Sequence, residues 1–200
     1  MAVNFNDHYH PLLLKQVPEG ALTALDVGCG TGRFARLLAG QGLETEGVDA
    51  HADVIEAAQA SGGGPRYRQA DVNQLQLPDA HYDFISCIAS LHHMPFDSVL
   101  TLRKALAPGG VLAVLGLYPA DTATDFVCAL PAMCLLRADR LLSRRNPAPP
   151  VQVPIVWPPP MTYAETRAES ARLLPGSTLR RLLFWRYLLV YRATEAYASG

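Results

Sequence analysis

The chain has 200 residues, half of them hydrophobic and 18% charged, which is enough to bury one sizeable core. A formal net charge of −1 excludes attraction of nucleic acid or of an anionic membrane by bulk electrostatics. The four cysteines match neither a metal-binding pattern nor a disulfide framework, and we recognise no secretory signal or transmembrane stretch, so we expect a single cytoplasmic domain over residues 1–200 without bound metal.

Strand and helix patterns alternate over the first 117 residues. The predicted strands are residues 21–27, 44–48, 66–69, 82–88 and 111–117, and the predicted helices are residues 33–39, 52–60 and 98–107. The fourth strand is apolar on both sides, which favours a central position in the sheet. The sequence Pro108-Gly109-Gly110 is expected to end the third helix. This alternation is typical of a parallel sheet covered by helices.

The second half of the chain departs from this pattern. Residues 122–143 predict a mostly apolar helix interrupted at Pro131, and residues 144–160 hold seven of the sixteen prolines. A helix is predicted at 162–174 because Thr162 and Glu165 have the spacing of a capping box. Residues 178–192 predict two strands, TLRRLLF and RYLLVYR, although no Gly or Asn marks a turn between them. One long amphipathic helix is the alternative for this last segment.

A glycine-rich stretch, ALDVGCGTG, joins the first strand to the first helix. Its glycines follow the spacing GxGxG and not the dinucleotide pattern GxGxxG, because Arg33 stands where the last glycine would be. Three acids, Asp26, Asp49 and Asp71, come at the ends of successive strands. Parallel strands bring these ends to one edge of the sheet, where open α/β folds bind ligands.

The three acids suit an adenosine ligand without phosphate. Asp49 can accept hydrogen bonds from both hydroxyls of a ribose, and Asp71 with the Val72 amide can pair with an adenine. The first turn of the following helix suits a carboxylate, and Asp26 favours a ligand with ammonium and sulfonium charges. S-adenosylmethionine has all of these groups. Alternatively, Asp26 caps its own loop and Asp71 caps a helix.

Five segments resemble, in order and spacing, the motifs of class I S-adenosylmethionine-dependent methyltransferases, particularly the small-molecule branch: LDVGCGTG, GVDA, QADVNQLQLPD, YDFISCIASLHHM and LRKALAPGGVLAVLG. The resemblance covers residues 20–118 and, more loosely, the last strands. It implies an α/β fold with a doubly wound, mostly parallel seven-stranded sheet of order 3-2-1-4-5-7-6, whose last strand is antiparallel, flanked by helices. From their own apolar and proline-rich sequence, we expect residues 118–160, after strand 5, to form a substrate-capping insertion.

The resemblance further implies that S-adenosylmethionine is the cofactor and S-adenosylhomocysteine the product. The residues that it places around the cofactor are Asp26, Gly28, Cys29, Gly30, Gly32, Asp49, Ala50, Asp71, Val72 and Cys87, the last through its carbonyl. Because Cys87 lies inside an apolar strand, we expect its thiol to pack and not to react.

Methyl transfer by in-line SN2 displacement requires alignment, exclusion of water and, for many nucleophiles, removal of one proton. His93 and His92 follow the fourth strand in SLHHMP, and we expect one to line the pocket and the other to pack or face solvent. Either imidazole can act as a general base near neutral pH. The alternative is a histidine that only bonds a neighbouring loop carbonyl.

A second candidate lies before the first strand, in residues 1–20, which we interpret as a lid over the cofactor. There Tyr9, together with His8 or His10, can form a proton relay. The alternative is the start of a helix packed on the sheet.

We expect the acceptor to be a small apolar or aromatic metabolite, and the protein to be a monomer or a homodimer. Apolar residues of the insertion are candidates for the acceptor pocket wall, and equally for a core cap or a dimer interface: Phe126, Leu130, Met133, Leu136 and Trp157. The alternatives are an RNA or protein methyltransferase and a noncatalytic cofactor-binding subunit. The sequence CIAS stands after strand four, in place of an amide-recognising NPPY tetrapeptide, which counts against the first alternative.

Overall fold

Seven strands form one sheet in this protein, whose computed structural model describes residues 5–71, 74, 76–120 and 158–194. The strands are β1 (Thr23–Val27), β2 (Glu44–Asp49), β3 (Arg66–Gln69), β4 (Tyr82–Ile88), β5 (Leu106–Leu117), β6 (Thr178–Leu182) and β7 (Arg186–Arg192). Their order is β3-β2-β1-β4-β5-β7-β6, and every pairing is parallel except those of β7 with β5 and β6. This confirms the predicted order and the antiparallel last strand.

Helices cover both faces of the sheet. They are α1 (Phe5–His8), α2 (His10–Leu14), α3 (Arg33–Gly40), α4 (Ala52–Ala60), α5 (Ser98–Ala105) and α6 (Tyr163–Leu173), with a 3₁₀ turn at Leu91–His93. Successive strand residues point to opposite faces, so two hydrophobic clusters form. Leu102 and Leu173 belong to the cluster on the α5/α6 face, and Leu13 and Phe34 belong to the cluster on the α2/α3 face. No helix in the described ranges is long and apolar enough to cross a membrane.

Both predictions for the C-terminal segment are confirmed. Helix α6 begins with a capping box, in which the Thr162 side chain accepts from the Glu165 amide and Glu165 bonds back to Thr162. Strands β6 and β7 form an antiparallel hairpin. Its turn places Phe184 and Trp185 at positive φ, of 62° and 54°. Buried Phe184 packs against the sheet, and this packing holds a turn that glycine or asparagine normally marks.

The boundary between α5 and β5 lies earlier than the sequence predicts. We expected a helix to residue 107 and a strand from 111, but α5 ends at Ala105 and β5 begins at Leu106. Leu106 pairs with Tyr82, and the register then shifts before Val111 pairs with Phe84. The proline and glycines between them therefore form an irregularity within the strand and do not end the helix.

The predictions for residues 122–157 lie outside the described residues. These are the interrupted apolar helix, most of the proline-rich segment and the five apolar residues proposed for a pocket wall.

Candidate functional site

The loop after β1 is held over the end of β2 by backbone hydrogen bonds. The amides of Gly28 and Cys29 both donate to the carbonyl of Val48, at 2.8 and 3.0 Å. The loop then closes a turn, because the Gly32 amide donates to the Cys29 carbonyl at 2.9 Å. These bonds place the loop beside Asp49, the last residue of β2. The sheet topology thus brings the glycine-rich motif and the GVDA motif next to each other.

The three glycines of this loop have different neighbours. A Cβ at Gly28 would overlap the side chain of Ser90, and a Cβ at Gly32 would overlap the ring of Tyr67. A Cβ at Gly30 would have no heavy atom within 4 Å. Gly30 therefore leaves open space at the loop surface beside Asp49, whereas Gly28 and Gly32 make room for side chains of the protein itself.

Replacing Gly28 by alanine is expected to destabilise the fold by about 3 kcal/mol, because it adds an overlap with Ser90 to the strain of a φ of +68°. The matched control is Gly20→Ala, at φ +75° with no heavy atom within 4 Å of the new Cβ, which should lose only about 1 kcal/mol. Urea denaturation measures both. Equal losses would contradict the close approach of Ser90.

Asp49 is buried and receives three hydrogen bonds. The Gly30 amide donates to Oδ2 at 3.0 Å. The His51 amide donates to Oδ1 at 3.0 Å, and Nδ1 of the His51 ring lies 3.1 Å from the same oxygen. These contacts fix the orientation of the carboxylate at the edge of the sheet.

Asp26 is buried beneath the same loop, with 1% of its surface exposed. Burial raises its pKa to about 7, although Ser86 donates its hydroxyl to Asp26 at 2.7 Å and the Ala35 amide also favours the charged form. The carboxyl is therefore close to half protonated at neutral pH. A positive ligand beside it would favour its ionisation.

Because the folded pKa of Asp26 lies above the value of an unfolded aspartate, the wild-type fold should lose stability as pH rises from about 4 to 7. The variant Asp26→Asn lacks this titration. Its free energy of unfolding relative to wild type is expected to rise over that interval by up to about 1.4 kcal/mol per pH unit, and to level off above pH 7. Urea denaturation at pH 4.5, 6.0 and 7.5 without cofactor measures the difference. A difference independent of pH would contradict the raised pKa.

The remaining cofactor candidates have varied surroundings. Asp71 is exposed just after β3, and its carbonyl accepts from the Gln74 amide; its neighbour Val72 lies outside the described residues. The Ala50 carbonyl accepts from the Gln69 side chain at 3.2 Å. Cys29 and Cys87 are both buried, and burial raises the pKa of each thiol. Both cysteines are therefore protonated packing residues at neutral pH.

The two adjacent histidines of the 3₁₀ turn after β4 face different surroundings. His92 Nδ1 is buried and has no hydrogen-bond partner in the described part of the chain. Burial, with the charge of His93 second, lowers the pKa of His92 to about 4. His93 is more exposed, and its pKa is lowered by burial and by His51, while Asp49 opposes the shift. His92 is therefore neutral at physiological pH.

His92 lines a small cavity on the α5/α6 face, partly open to solvent. The walls come from the ends of β4 and β5, the start of β7, and α6 with the residues before it. The lining residues are Leu91, His92, Met94, Phe96, Leu117, Pro160, Met161, Thr166 and Tyr187. This is an apolar pocket with a few polar atoms, at the edge of the sheet that also carries the glycine loop and Asp49.

Tyr9 lies on the opposite face of the sheet from this cavity. Its ring belongs to the cluster on the α2/α3 face, and its hydroxyl donates to the Leu183 carbonyl at 3.1 Å. The segment around Tyr9 makes two contacts with the rest of the fold. Asp7 pairs with Arg33 at the start of α3, at 2.7 Å, and Tyr9 bonds the β6–β7 turn. The structure thus does not bring Tyr9 together with His92, and it shows Tyr9 at the start of a packed helix.

Sequence reasoning missed four side chains that build this site. Ser86 and His51 bond the two acids, Ser90 fills the space at Gly28, and Tyr67 fills the space at Gly32. A signal existed for two of them, since Ser86 is a hydroxyl within an otherwise buried strand and His51 follows Asp49 by two residues. Ser90 and Tyr67 depend on contacts between distant segments.

Comparison with known proteins gives consistent results. The profile of the family described as "Methyltransferase domain" matches residues 25–114. Over 194 residues the chain is 34% identical to an uncharacterized methyltransferase of Mycobacterium tuberculosis, covering 95% of this chain and 96% of the relative. It is 32% identical over 91 residues to malonyl-(acyl-carrier protein) O-methyltransferase of Enterobacter lignolyticus, covering 44% of this chain and 36% of that protein.

The fold also matches solved structures. The crystal structure of magnesium protoporphyrin IX methyltransferase from Synechocystis, with bound SAH, superposes with a TM-score of 0.59 at 19% identity, covering 95% of this chain and 82% of that one.

Proposed function

This chain belongs to the class I S-adenosylmethionine-dependent methyltransferases, and on that basis we propose that it transfers the methyl group to a small apolar or aromatic acceptor. The observation that carries the choice of acceptor is the cavity beside His92. Its wall is mostly apolar and includes His92, whose buried Nδ1 has no hydrogen-bond partner in the part of the chain that the structure describes. A small molecule with one polar group satisfies both features, because it buries apolar surface and pairs with that nitrogen.

The residues at the sheet edge fit the cofactor. Open space beside Gly30 leaves room for a ligand next to Asp49, whose carboxylate is oriented by two backbone amides. We assign the ribose hydroxyls to Asp49, the adenine to Asp71 and the methionine part to the loop at Gly30. Asp26 beneath the loop adds negative charge near the cationic end, since a positive ligand favours its ionised form.

The cofactor supplies a methyl group already activated by its sulfonium, so the protein's task is alignment, exclusion of water and proton removal. The apolar wall of the cavity reduces the contact of the acceptor with water. His92 is neutral at physiological pH, and its Nδ1 can accept a proton from an O–H or N–H nucleophile. Tyr9 has no part in this step, because its hydroxyl is bonded on the other face of the sheet.

An acceptor screen with methyl-labelled cofactor tests the proposal. The panel contains small phenols, carboxylic acids and amines with apolar bodies, next to total RNA and a mixture of proteins. Label in a small molecule is the expected result. Label only in RNA or protein would overturn the choice of acceptor, and cofactor binding without transfer to any member would favour the noncatalytic alternative.

A further inference from the structure

Asp49 accepts more hydrogen bonds from the protein than it can keep when both hydroxyls of a ribose bind to it. An ionised carboxylate offers about four acceptor positions, two on each oxygen. Three are occupied here: one on Oδ2 by the Gly30 amide, and two on Oδ1 by the amide and the ring of His51. Two ribose hydroxyls need two positions, and only one is left. One of the three donors must therefore leave when both hydroxyls bind.

The His51 ring is the donor that can leave. The other two are backbone amides, one in the glycine loop and one directly before α4, and the fold holds them in place. The His51 side chain is 49% exposed, so its ring can turn toward water at little cost. Its departure frees the second position on Oδ1.

We propose that His51 competes with the cofactor ribose for Oδ1 of Asp49, so that protonation of His51 weakens cofactor binding. The inference rests on the assignment of the ribose to Asp49 made above. A neutral ring gives up one hydrogen bond when it leaves the carboxylate, whereas a charged ring gives up an ion pair as well. Ribose binding therefore favours neutral His51, and cofactor affinity should fall as pH decreases.

Other titrating groups near His51 also affect the pH profile. Asp49 faces it from β2, His93 faces it from the 3₁₀ turn, and Asp53 stands two residues away in the first turn of α4. Asp26 of β1 interacts with Asp49 and titrates near neutral pH. These groups are present in both wild type and a His51 variant, and the one that the substitution itself affects is His93, whose pKa His51 lowers. A ligand without ribose hydroxyls separates that effect from the competition for Asp49.

The experiment is calorimetric titration of S-adenosylhomocysteine at pH 8.0, 6.5 and 5.5 into wild type and His51→Ala, which keeps the backbone amide on Asp49. Between pH 8.0 and 5.5 the affinity of wild type should fall by about three- to fivefold more than the affinity of the variant. This difference corresponds to the contribution of one half-exposed ion pair. At pH 5.5 the variant should bind more tightly than wild type. The control variant is His81→Ala. His81 directly precedes β4, at the end of the strand that is remote from Asp49, so this variant should follow the wild-type profile.

A second ligand makes the result specific to the ribose. The 2′,3′-dideoxy form of S-adenosylhomocysteine needs no position on Asp49, so wild type and His51→Ala should bind it with the same pH dependence. Parallel profiles of the two proteins for S-adenosylhomocysteine would overturn the competition, as would a variant that binds more weakly at every pH. Binding needs no acceptor, so failure of the acceptor screen would leave this result intact.

Discussion

Replacing His92 by alanine is expected to lower kcat by about 100- to 10,000-fold, the usual contribution of a general base, while the affinity for S-adenosylhomocysteine stays unchanged. The reason is that His92 lines the cavity and that its Nδ1 makes no hydrogen bond within the described residues. Single-turnover rates with an acceptor from the screen measure the chemical step directly. Calorimetry on the same preparation shows that the cofactor site is intact.

The neighbouring residue provides the matched control for this variant. His93 belongs to the same 3₁₀ turn but is more exposed and does not line the cavity, so His93→Ala should retain most of the rate. The wild-type rate should be level from pH 8 to 6 and fall toward pH 4, because protonated His92 cannot accept a proton and its pKa is lowered to about 4. If both variants keep full turnover, neither histidine is the base.

Replacing Asp49 by alanine is expected to weaken the binding of S-adenosylhomocysteine by about 1 to 3 kcal/mol, because two ribose hydroxyls lose a charged acceptor. The same change leaves the Gly30 and His51 amides without their acceptor, so the free energy of unfolding should also fall by about 1 to 2 kcal/mol. Calorimetry and urea denaturation measure the two effects separately, and binding is compared at a temperature where both proteins are folded.

The control for this prediction is Asp53→Ala. Asp53 carries the same formal charge four residues further on and is exposed in the first turn of α4. It should lose little affinity, which separates the loss of a specific acceptor from the loss of a negative charge near the site. Unchanged affinity in Asp49→Ala would place the ribose elsewhere.

The sheet could be predicted because its signals are local. Each strand of the first half is a short apolar run next to a helical pattern, and parallel crossovers leave few possible orders. The hairpin of β6 and β7 lacked its turn signal, since Phe184 and Trp185 adopt positive φ through packing. The start of β5 at Leu106 was missed for a similar reason, because pairing with Tyr82 outweighs the local signals of Pro108 and the glycines.

The location of a candidate site residue could be predicted where its position in a strand determines it, and could not where tertiary contacts determine it. Asp26 and Asp49 come to the edge of the sheet because β1 and β2 are parallel neighbours. Ser90, by contrast, follows the end of β4, and its side chain comes close to Gly28 only because β4 pairs with β1 in the folded sheet. The position of Tyr9 also depends on tertiary contacts, since its hydroxyl donates to the carbonyl of Leu183, 174 residues further along the chain.

The insertion of β7 between β5 and β6 has a consequence for synthesis of the chain. Tyr187, at the start of β7, lines the cavity beside His92, and the carbonyl of Leu183, in the turn before β7, accepts from the hydroxyl of Tyr9. On the ribosome the segment with Tyr9 emerges long before the β6–β7 turn on which it packs. The glycine loop can form while β1 and β2 are the newest strands, whereas the cavity beside His92 forms only after β7 has been made.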